Sequence, residues 1–253
     1  MARQKLGQHF LASAKVLERI ARAACGEGVP LTVEIGPGQG ALTAHLLDRS
    51  ERVVAIELDP ALAVHLRARW NEDPRLSIIE SNALDVDWSA WGPGVLAGNL
   101  PYYVSTAIIS RYVRQPGALR HAVFLIQKEV AERITARPGT RDYGYFSVEC
   151  QFLATPEYLF TVPPGAFHPP PKVDSAVVRL TPRPLPEGVD VPAFLALVSA
   201  SFRQKRKMLR NNLAAFFSRD ILDRHSQMSR RAEQLTVEEF LELFRSLPPL
   251  TRN

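Results

Sequence analysis

The sequence predicts a doubly wound, mostly parallel α/β sheet with an antiparallel edge, followed by a small all-helical C-terminal domain. Three observations carry this fold class. Short apolar runs alternate with helical patterns from about Ser13 to Arg137. The first run stops at a cluster of glycines. A proline-rich stretch then separates this region from a tail that shows helical periodicity alone. Strand–helix alternation lays strands parallel and packs helices on both faces.

Taken in order, Ser13 caps a helix expected to reach about Ala24. Leu31 to Ile35 is the first core strand, and a helix starts near Gly40. Arg52 to Ile56 is the second strand, after which Asp59-Pro60 opens a helix. Leu76 to Ile79 is the third strand and Val95 to Ala97 the fourth, with a helix from about Ser105. Val123 to Ile126 is the fifth, with a helix from about Lys128. Ser147–Phe152 and Ser175–Leu180 read as antiparallel additions to the sheet. Thr181 to Pro192 carries Pro182, Pro184, Pro186 and Pro192 and reads as a linker. Beyond it, Phe194, Leu195, Leu197 and Val198 mark one helix, and Phe202, Leu209 and Leu213 a second. Thr236 with Glu239 forms a capping box before Phe240, Leu241, Phe244 and Leu247. The expected domains are 1–182 and 183–253.

The 253 residues suffice for one large domain and an appendage, and the net charge of +5 suits a polyanionic partner. Cys25 and Cys150 lie in apolar sequence and read as buried free thiols of a reducing compartment. The histidines show no ligand spacing, so no metal is expected. Met1 to Leu11 is polar and basic, and no apolar run reaches the roughly 18 residues of a membrane span. A cytoplasmic, soluble chain is expected.

The strongest local signal is Glu34-Ile35-Gly36-Pro37-Gly38-Gln39-Gly40. Alternate glycines between a strand and a helix let the chain turn sharply and let a ligand lie on bare main chain. In a doubly wound sheet this first loop takes a nucleotide-like cofactor. The G-x-G-x-G spacing differs from the dinucleotide G-x-G-x-x-G and favours a ligand without pyrophosphate. Glu57, 21 residues past Gly36, ends the second strand ahead of Leu58, where a carboxylate accepts bonds from ribose hydroxyls. After the third strand, Asn82 offers its carbonyl oxygen to an adenine amine, and Ala83 offers a backbone N–H.

Asn99-Leu100-Pro101-Tyr102 follows the fourth strand. The exocyclic nitrogen of adenine is a poor nucleophile because its lone pair is delocalised into the ring. Two acceptors, the Asn99 side-chain oxygen and the Leu100 carbonyl, would hold both of its hydrogens. Pro101 stiffens the loop, and Tyr102 would stack on the base. Phe167, at the head of a proline-rich segment ending at Ser175, is expected to complete a sandwich around an extruded base.

These motifs, with Gly7-Gln8-His9-Phe10-Leu11, occur in the order found in KsgA-type ribosomal RNA adenine dimethyltransferases, which this chain resembles over nearly its whole length. The resemblance implies a Rossmann-like methyltransferase that uses S-adenosylmethionine. It implies N6,N6-dimethylation of two adjacent adenosines in the 3′-terminal hairpin of small-subunit ribosomal RNA, late in assembly of that pre-ribosomal subunit, by a monomer. It places His9, Leu11, Gly36, Glu57, Asn82 and Asn99 at the cofactor, joined by Gly38, Leu58 and Ala83 from the loops themselves. The chain departs from the family pattern at His9 (usually Asn), Asn82 (usually Asp) and Tyr103 (usually Asn).

Arg203, Lys205, Arg206, Lys207 and Arg210 lie in a stretch, Val191 to Arg219, that holds no acid. Read as a helix, it presents cations on more than one face for RNA phosphates. Arg3, Lys5 and Lys15 form a smaller basic stretch. Competing readings are an Erm-type enzyme of large-subunit RNA and a non-catalytic assembly factor. A nicotinamide oxidoreductase is disfavoured by the glycine spacing.

Overall fold

The structure is a computed structural model that describes residues 9–70, 73–115, 117 and 119–250. Gly7, Gln8, Arg3 and Lys5 therefore lie outside the described residues. The chain divides into two compact units, one of Met1–Ala131 with Ala154–Pro182 and the other of Glu132–Leu153 with Arg183–Asn253.

In the first unit, β1 (Phe10–Leu11) precedes α1 (Ala14–Cys25), β2 (Val29–Ile35), α2 (Ala41–Leu47) and β3 (Ser50–Glu57). Next come α3 (Pro60–Trp70), β4 (Leu76–Glu80), β5 (Gly94–Asn99), α4 (Ser105–Arg114), β6 (Leu119–Gln127) and α5 (Lys128–Ile134). After α6 (Tyr145–Leu153), which belongs to the second unit, come β7 (Ala154–Val162), β8 (Phe167–His168) and β9 (Ser175–Pro182). The large sheet has the order β4-β3-β2-β5-β6-β9-β7. Its first five strands are parallel, and β9 and β7 run antiparallel at the edge. β1 and β8 form a separate antiparallel pair.

Strands covered on both faces need apolar side chains throughout. Val33, Val53, Val54, Ala55, Leu96, Ala97, Val123 and Phe124 are accordingly excluded from solvent. The strand order reverses between β2 and β5, the point at which such sheets open a crevice at their carboxyl ends. Small residues let these two strands come close. A Cβ at Gly98 would stand 2.5 Å from the Ile35 carbonyl oxygen.

One expected strand is a helix. Ser147–Phe152 lies within α6. Val148, Cys150 and Phe152 alternate in sequence like a strand, but their neighbours Ser147, Glu149 and Leu153 are buried as well. A helix buried all round loses its polar stripe, so its period is hidden. From α6 the Gln151 side chain reaches the end of α5, its Nε2 donating to the Ile134 and Ala136 carbonyls at 3.1 and 2.8 Å. The edge strand beside β9 is instead β7. Residues 132–153, inside the expected 1–182 domain, thus belong to the second unit.

That unit continues with α7 (Val191–Ser201), α8 (Leu209–Leu213), α9 (Arg219–Leu222) and α10 (Val237–Ser246). Pro192 is not linker: it occupies the first turn of α7, which Asp190 caps by accepting the Ala193 N–H at 3.0 Å. The expected helix from Phe202 to Leu213 is interrupted. Phe202 ends α7, residues 203–208 form turns, and only Leu209–Leu213 is helical. Asn212 Nδ2 donates to the Ser201 and Gln204 carbonyls at 2.6 and 3.2 Å, so the break leaves these groups paired. The capping box at Thr236 and Glu239 forms as read. Phe152, Phe194 and Phe244 stack into an aromatic core, with centroid separations of 4.1 and 5.7 Å.

Among the described residues, no helix is long and apolar enough to cross a membrane. No group of three or more His, Cys, Asp or Glu side chains there is arranged to hold a metal.

The approach of β5 to β2 makes Gly98 a direct test of this sheet. Gly98→Ala should cost about 1–3 kcal/mol through overpacking. For a protein of this size each kcal/mol lowers Tm by about 2–4 °C, a drop that calorimetry would resolve. An unchanged Tm would show that the two strands separate freely.

Candidate active site

A chamber of about 500 Å³ opens where the loops after β2, β3, β4 and β5 converge, within the first unit. This volume is in the range of ordinary small-molecule sites, about 300–1,000 Å³. His9, Leu11, Gly36, Gly38, Glu57, Leu58, Asn82, Ala83, Asn99, Leu100, Pro101 and Tyr102 all line it. Four separate loops thus contribute the residues singled out from sequence.

The floor is the glycine turn. Gly36, Gly38 and Gly40 have φ of +68°, +58° and +80°, which residues with a Cβ rarely adopt. Space reinforces the requirement. A Cβ at Gly38 would meet the Phe10 ring at 3.1 Å, and one at Gly40 the Trp70 ring at 2.3 Å.

Glu57 ends β3 and is 4 % exposed. Its Oε2 accepts the Gly38 N–H at 3.0 Å and its Oε1 the Asp59 N–H at 2.9 Å. Two main-chain donors fix the carboxylate while lone pairs remain for a vicinal diol. The Asn82 amide is tied locally: Oδ1 accepts the Leu84 N–H at 3.0 Å and Nδ2 donates to Asp85 at 3.1 Å. Arg111 braces the same loop from behind, donating to the Val86 carbonyl at 2.6 Å. This pocket fits S-adenosylmethionine: a diol acceptor, a bare glycine floor and apolar walls at Leu11, Leu58 and Ala83.

Asn99 ends β5, and its Nδ2 donates to the His9 carbonyl at 3.2 Å. A carbonyl accepts only, so the amide is oriented with its NH₂ toward His9 and its Oδ1 away from it. Oδ1 takes no hydrogen bond among the described residues, and neither does the Leu100 carbonyl. Two acceptors on consecutive residues are therefore without a partner there. The His9 ring is held in turn by Nδ1 donating to the Pro169 carbonyl at 2.9 Å, with its centroid 5.8 Å from that of Tyr102. Tyr102 shares a 2.8 Å hydrogen bond with the buried Ser175 hydroxyl, and partial burial pushes its phenol pKa up.

Phe167 does not complete the sandwich expected from sequence. It is 4 % exposed, packs in the core with Leu11, Leu17 and Val177, and is not among the chamber's lining residues. β8 explains this. Phe167 stands opposite Leu11 of β1 and is buried with it in the core, whereas the next residue, His168, is exposed and lines the chamber. The five cations, Arg203, Lys205, Arg206, Lys207 and Arg210, lie in the second unit, exposed. Lys15 of the smaller basic stretch is exposed in the first.

Sequence reasoning missed Ser175 as the anchor of Tyr102, and it missed Glu34. Glu34 lines the chamber at 1 % exposure and accepts the Thr43 hydroxyl at 2.6 Å. Burial, offset in part by that hydrogen bond and reinforced by nearby Glu57, pushes its pKa up to about 8. An acid in an apolar strand was visible, but its depth was not.

The doubly wound sheet and the glycine-floored chamber at its carboxyl ends are those of a Rossmann-like, S-adenosylmethionine-dependent methyltransferase. The family described as ribosomal RNA adenine dimethylase matches residues 1–248. The chain belongs to that family and is an enzyme of its kind, an rRNA adenine dimethyltransferase. It is 41% identical over 246 residues to a ribosomal RNA small subunit methyltransferase A from Leptothrix cholodnii, covering 95% of this chain and 90% of that one. A protein of the same name from Acidobacterium capsulatum is 42% identical over 255 residues, covering 96% and 90%. Among solved structures, a dimethyladenosine transferase from Plasmodium falciparum shares the fold with a TM-score of 0.80 at 24% identity, covering 93% of this chain and 96% of that one. The 23S rRNA methyltransferase ErmE superposes with a TM-score of 0.74 at 29% identity, covering 94% and 99%.

The buried acid sets a pH signature. Glu34 keeps its proton in the folded state up to about pH 8 but loses it near 4.5 when unfolded. Folding stability from this group is therefore full below about 4.5, falls through the window up to about 8, and is flat above it. The slope is about 1.4 kcal/mol per pH unit. Glu34→Gln keeps an acceptor for Thr43 and should flatten this dependence, as read by denaturant unfolding across the window. An identical slope in the variant would show that another group titrates.

Proposed function

We propose that the chain dimethylates N6 of two adjacent adenosines in the 3′-terminal hairpin of small-subunit ribosomal RNA. In this reading it acts as a cytoplasmic monomer on a late assembly intermediate of that subunit. The observation that carries the reading is the orientation of the Asn99 amide. With Nδ2 committed to His9, Oδ1 faces away from that carbonyl and, beside the free Leu100 carbonyl, presents acceptors for the two N6 hydrogens of adenine. Holding both hydrogens localises the nitrogen lone pair, which is what a delocalised amine lacks. Tyr102, its hydroxyl anchored on Ser175, offers its ring to the face of the base. Bound S-adenosylmethionine supplies an electrophilic methyl group on a sulfonium. Glu57 and the glycine turn hold that cofactor, and Leu11 and Leu58 shield it from water.

The small-subunit assignment draws support from the names of relatives 41% and 42% identical over nearly their full length. The Erm-type alternative, large-subunit RNA, is an outcome of the same experiment: methylation of hypomethylated small and large subunits, followed by primer-extension mapping. Modification confined to large-subunit RNA would sink the proposal.

For RNA binding we propose the turns at 203–208 and the first turn of α8 in the second unit. Lys205 is engaged there, donating to the Arg141 carbonyl and lying 3.9 Å from Glu233. Arg203, Arg206, Lys207 and Arg210 are exposed and have no partner among the described residues. A turn, unlike a helix, gathers successive cations toward solvent without giving a face to packing. Phosphates would replace released counterions at these four side chains.

Two outcomes are expected. Asn99→Ala should lower methyl transfer by about 10²–10³-fold, the usual loss for a dipole aimed at the reacting group. Affinity for RNA, read by filter binding, should change little; near-native turnover would refute the acceptor role. Neutralising Arg203, Arg206, Lys207 and Arg210 to Gln should weaken RNA binding. It should also reduce the slope of log K against log salt by about 0.7–0.9 per contacting cation. An unaltered slope would place the RNA elsewhere.

A further inference from the structure

Two adjacent tyrosines at the chamber have opposite environments. The hydroxyl of Tyr102 is bound to Ser175, whereas Tyr103 is 66 % exposed, more than any other large hydrophobic side chain among the described residues. Tyr103 nonetheless lines the mouth of the same chamber, as does Leu58, which is 52 % exposed. The Tyr103 hydroxyl has no hydrogen-bond partner among the described residues.

The backbone carrying this ring is fixed. The N–H groups of Val104 and Ser105 both donate to the Pro101 carbonyl at 3.1 Å, and the Ser105 hydroxyl donates to the Tyr102 carbonyl at 3.2 Å. Pro101 restricts the turn further. A fixed mount therefore holds an exposed aromatic ring at the edge of the chamber. Proteins that hold unpaired nucleic acid use such faces as platforms, because every base has a π-surface to lay on them.

We propose that Tyr103 is an RNA-stacking residue whose ring carries the base next to the adenine held at Tyr102. This rests on the function proposed above and adds a second base contact that fixes the register of the strand entering the chamber. Consecutive tyrosines then meet consecutive bases. Stacking asks only for the ring, so the hydroxyl of Tyr103 is dispensable.

The test is a cycle between protein and RNA. The substrates are hypomethylated small subunits reconstituted with the natural hairpin, or with an abasic nucleotide 5′ or 3′ of the adenosine scored. Tyr103→Ala should lower kcat/KM on the natural hairpin by roughly tenfold or more, mainly through KM. The abasic substitution on one side should cost the wild-type enzyme a similar factor, and the two changes together no more than either alone. Tyr103→Phe should retain wild-type kcat/KM. Affinity for S-adenosylmethionine, by titration calorimetry, should be unchanged in both variants. Losses that multiply on both sides, native kcat/KM in Tyr103→Ala, or weakened cofactor binding would overturn the inference while leaving the reaction intact. A wild-type enzyme that modifies no small-subunit RNA would remove the proposed function, and the inference with it.

Discussion

The orientation of the Asn99 amide depends on a single side-chain to main-chain hydrogen bond, from its Nδ2 to the His9 carbonyl at 3.2 Å. An amide has two ends of opposite polarity and nearly equal shape. Left to itself it samples both orientations, and half of them would present a donor where an acceptor is required. A carbonyl 90 residues away in sequence removes that freedom. The His9 segment can do this because it is itself tied down by the β1–β8 pair and by the His9 ring on the Pro169 carbonyl. Pre-organised dipoles of this kind stabilise a reacting centre without reorganising at the moment of reaction.

The surrounding chamber shows how one sheet assembles unlike environments. Glu57 and Glu34 sit at the ends of neighbouring strands and both line the cavity, yet they are partnered differently. Glu57 takes two main-chain N–H donors and keeps acceptor capacity toward the cavity. Glu34 has only the Thr43 hydroxyl and full burial, so its neutral form is favoured. The first keeps lone pairs open to the cavity, whereas burial holds the second in its neutral form.

The second unit answers a different need. Its aromatic core, built from α6, α7 and α10, leaves residues 203–208 and Arg210 to solvent. The cations gathered there are exposed, and a polyphosphate partner asks for charge and access rather than exact geometry. The chamber, in contrast, works by fixed positions.

Sequence alone determined the parallel core, the glycine turn, the acid at Glu57 and the Asn99–Tyr102 loop. Each is a local pattern whose meaning follows from residue type and spacing within one strand–turn–helix unit. The tertiary structure decided what depends on contacts distant in sequence. Ser147–Phe152 became a helix because burial on all sides erased its period. Phe167 went to the core because β8 pairs with β1 and lays its ring among Leu11, Leu17 and Val177. Ser175, Glu34 and the His9 carbonyl acquired their roles from neighbours 73, 9 and 90 residues away. Periodicity records which side of an element is apolar. It does not record which partner lies opposite, and in this protein the partner fixes the orientation of the Asn99 amide.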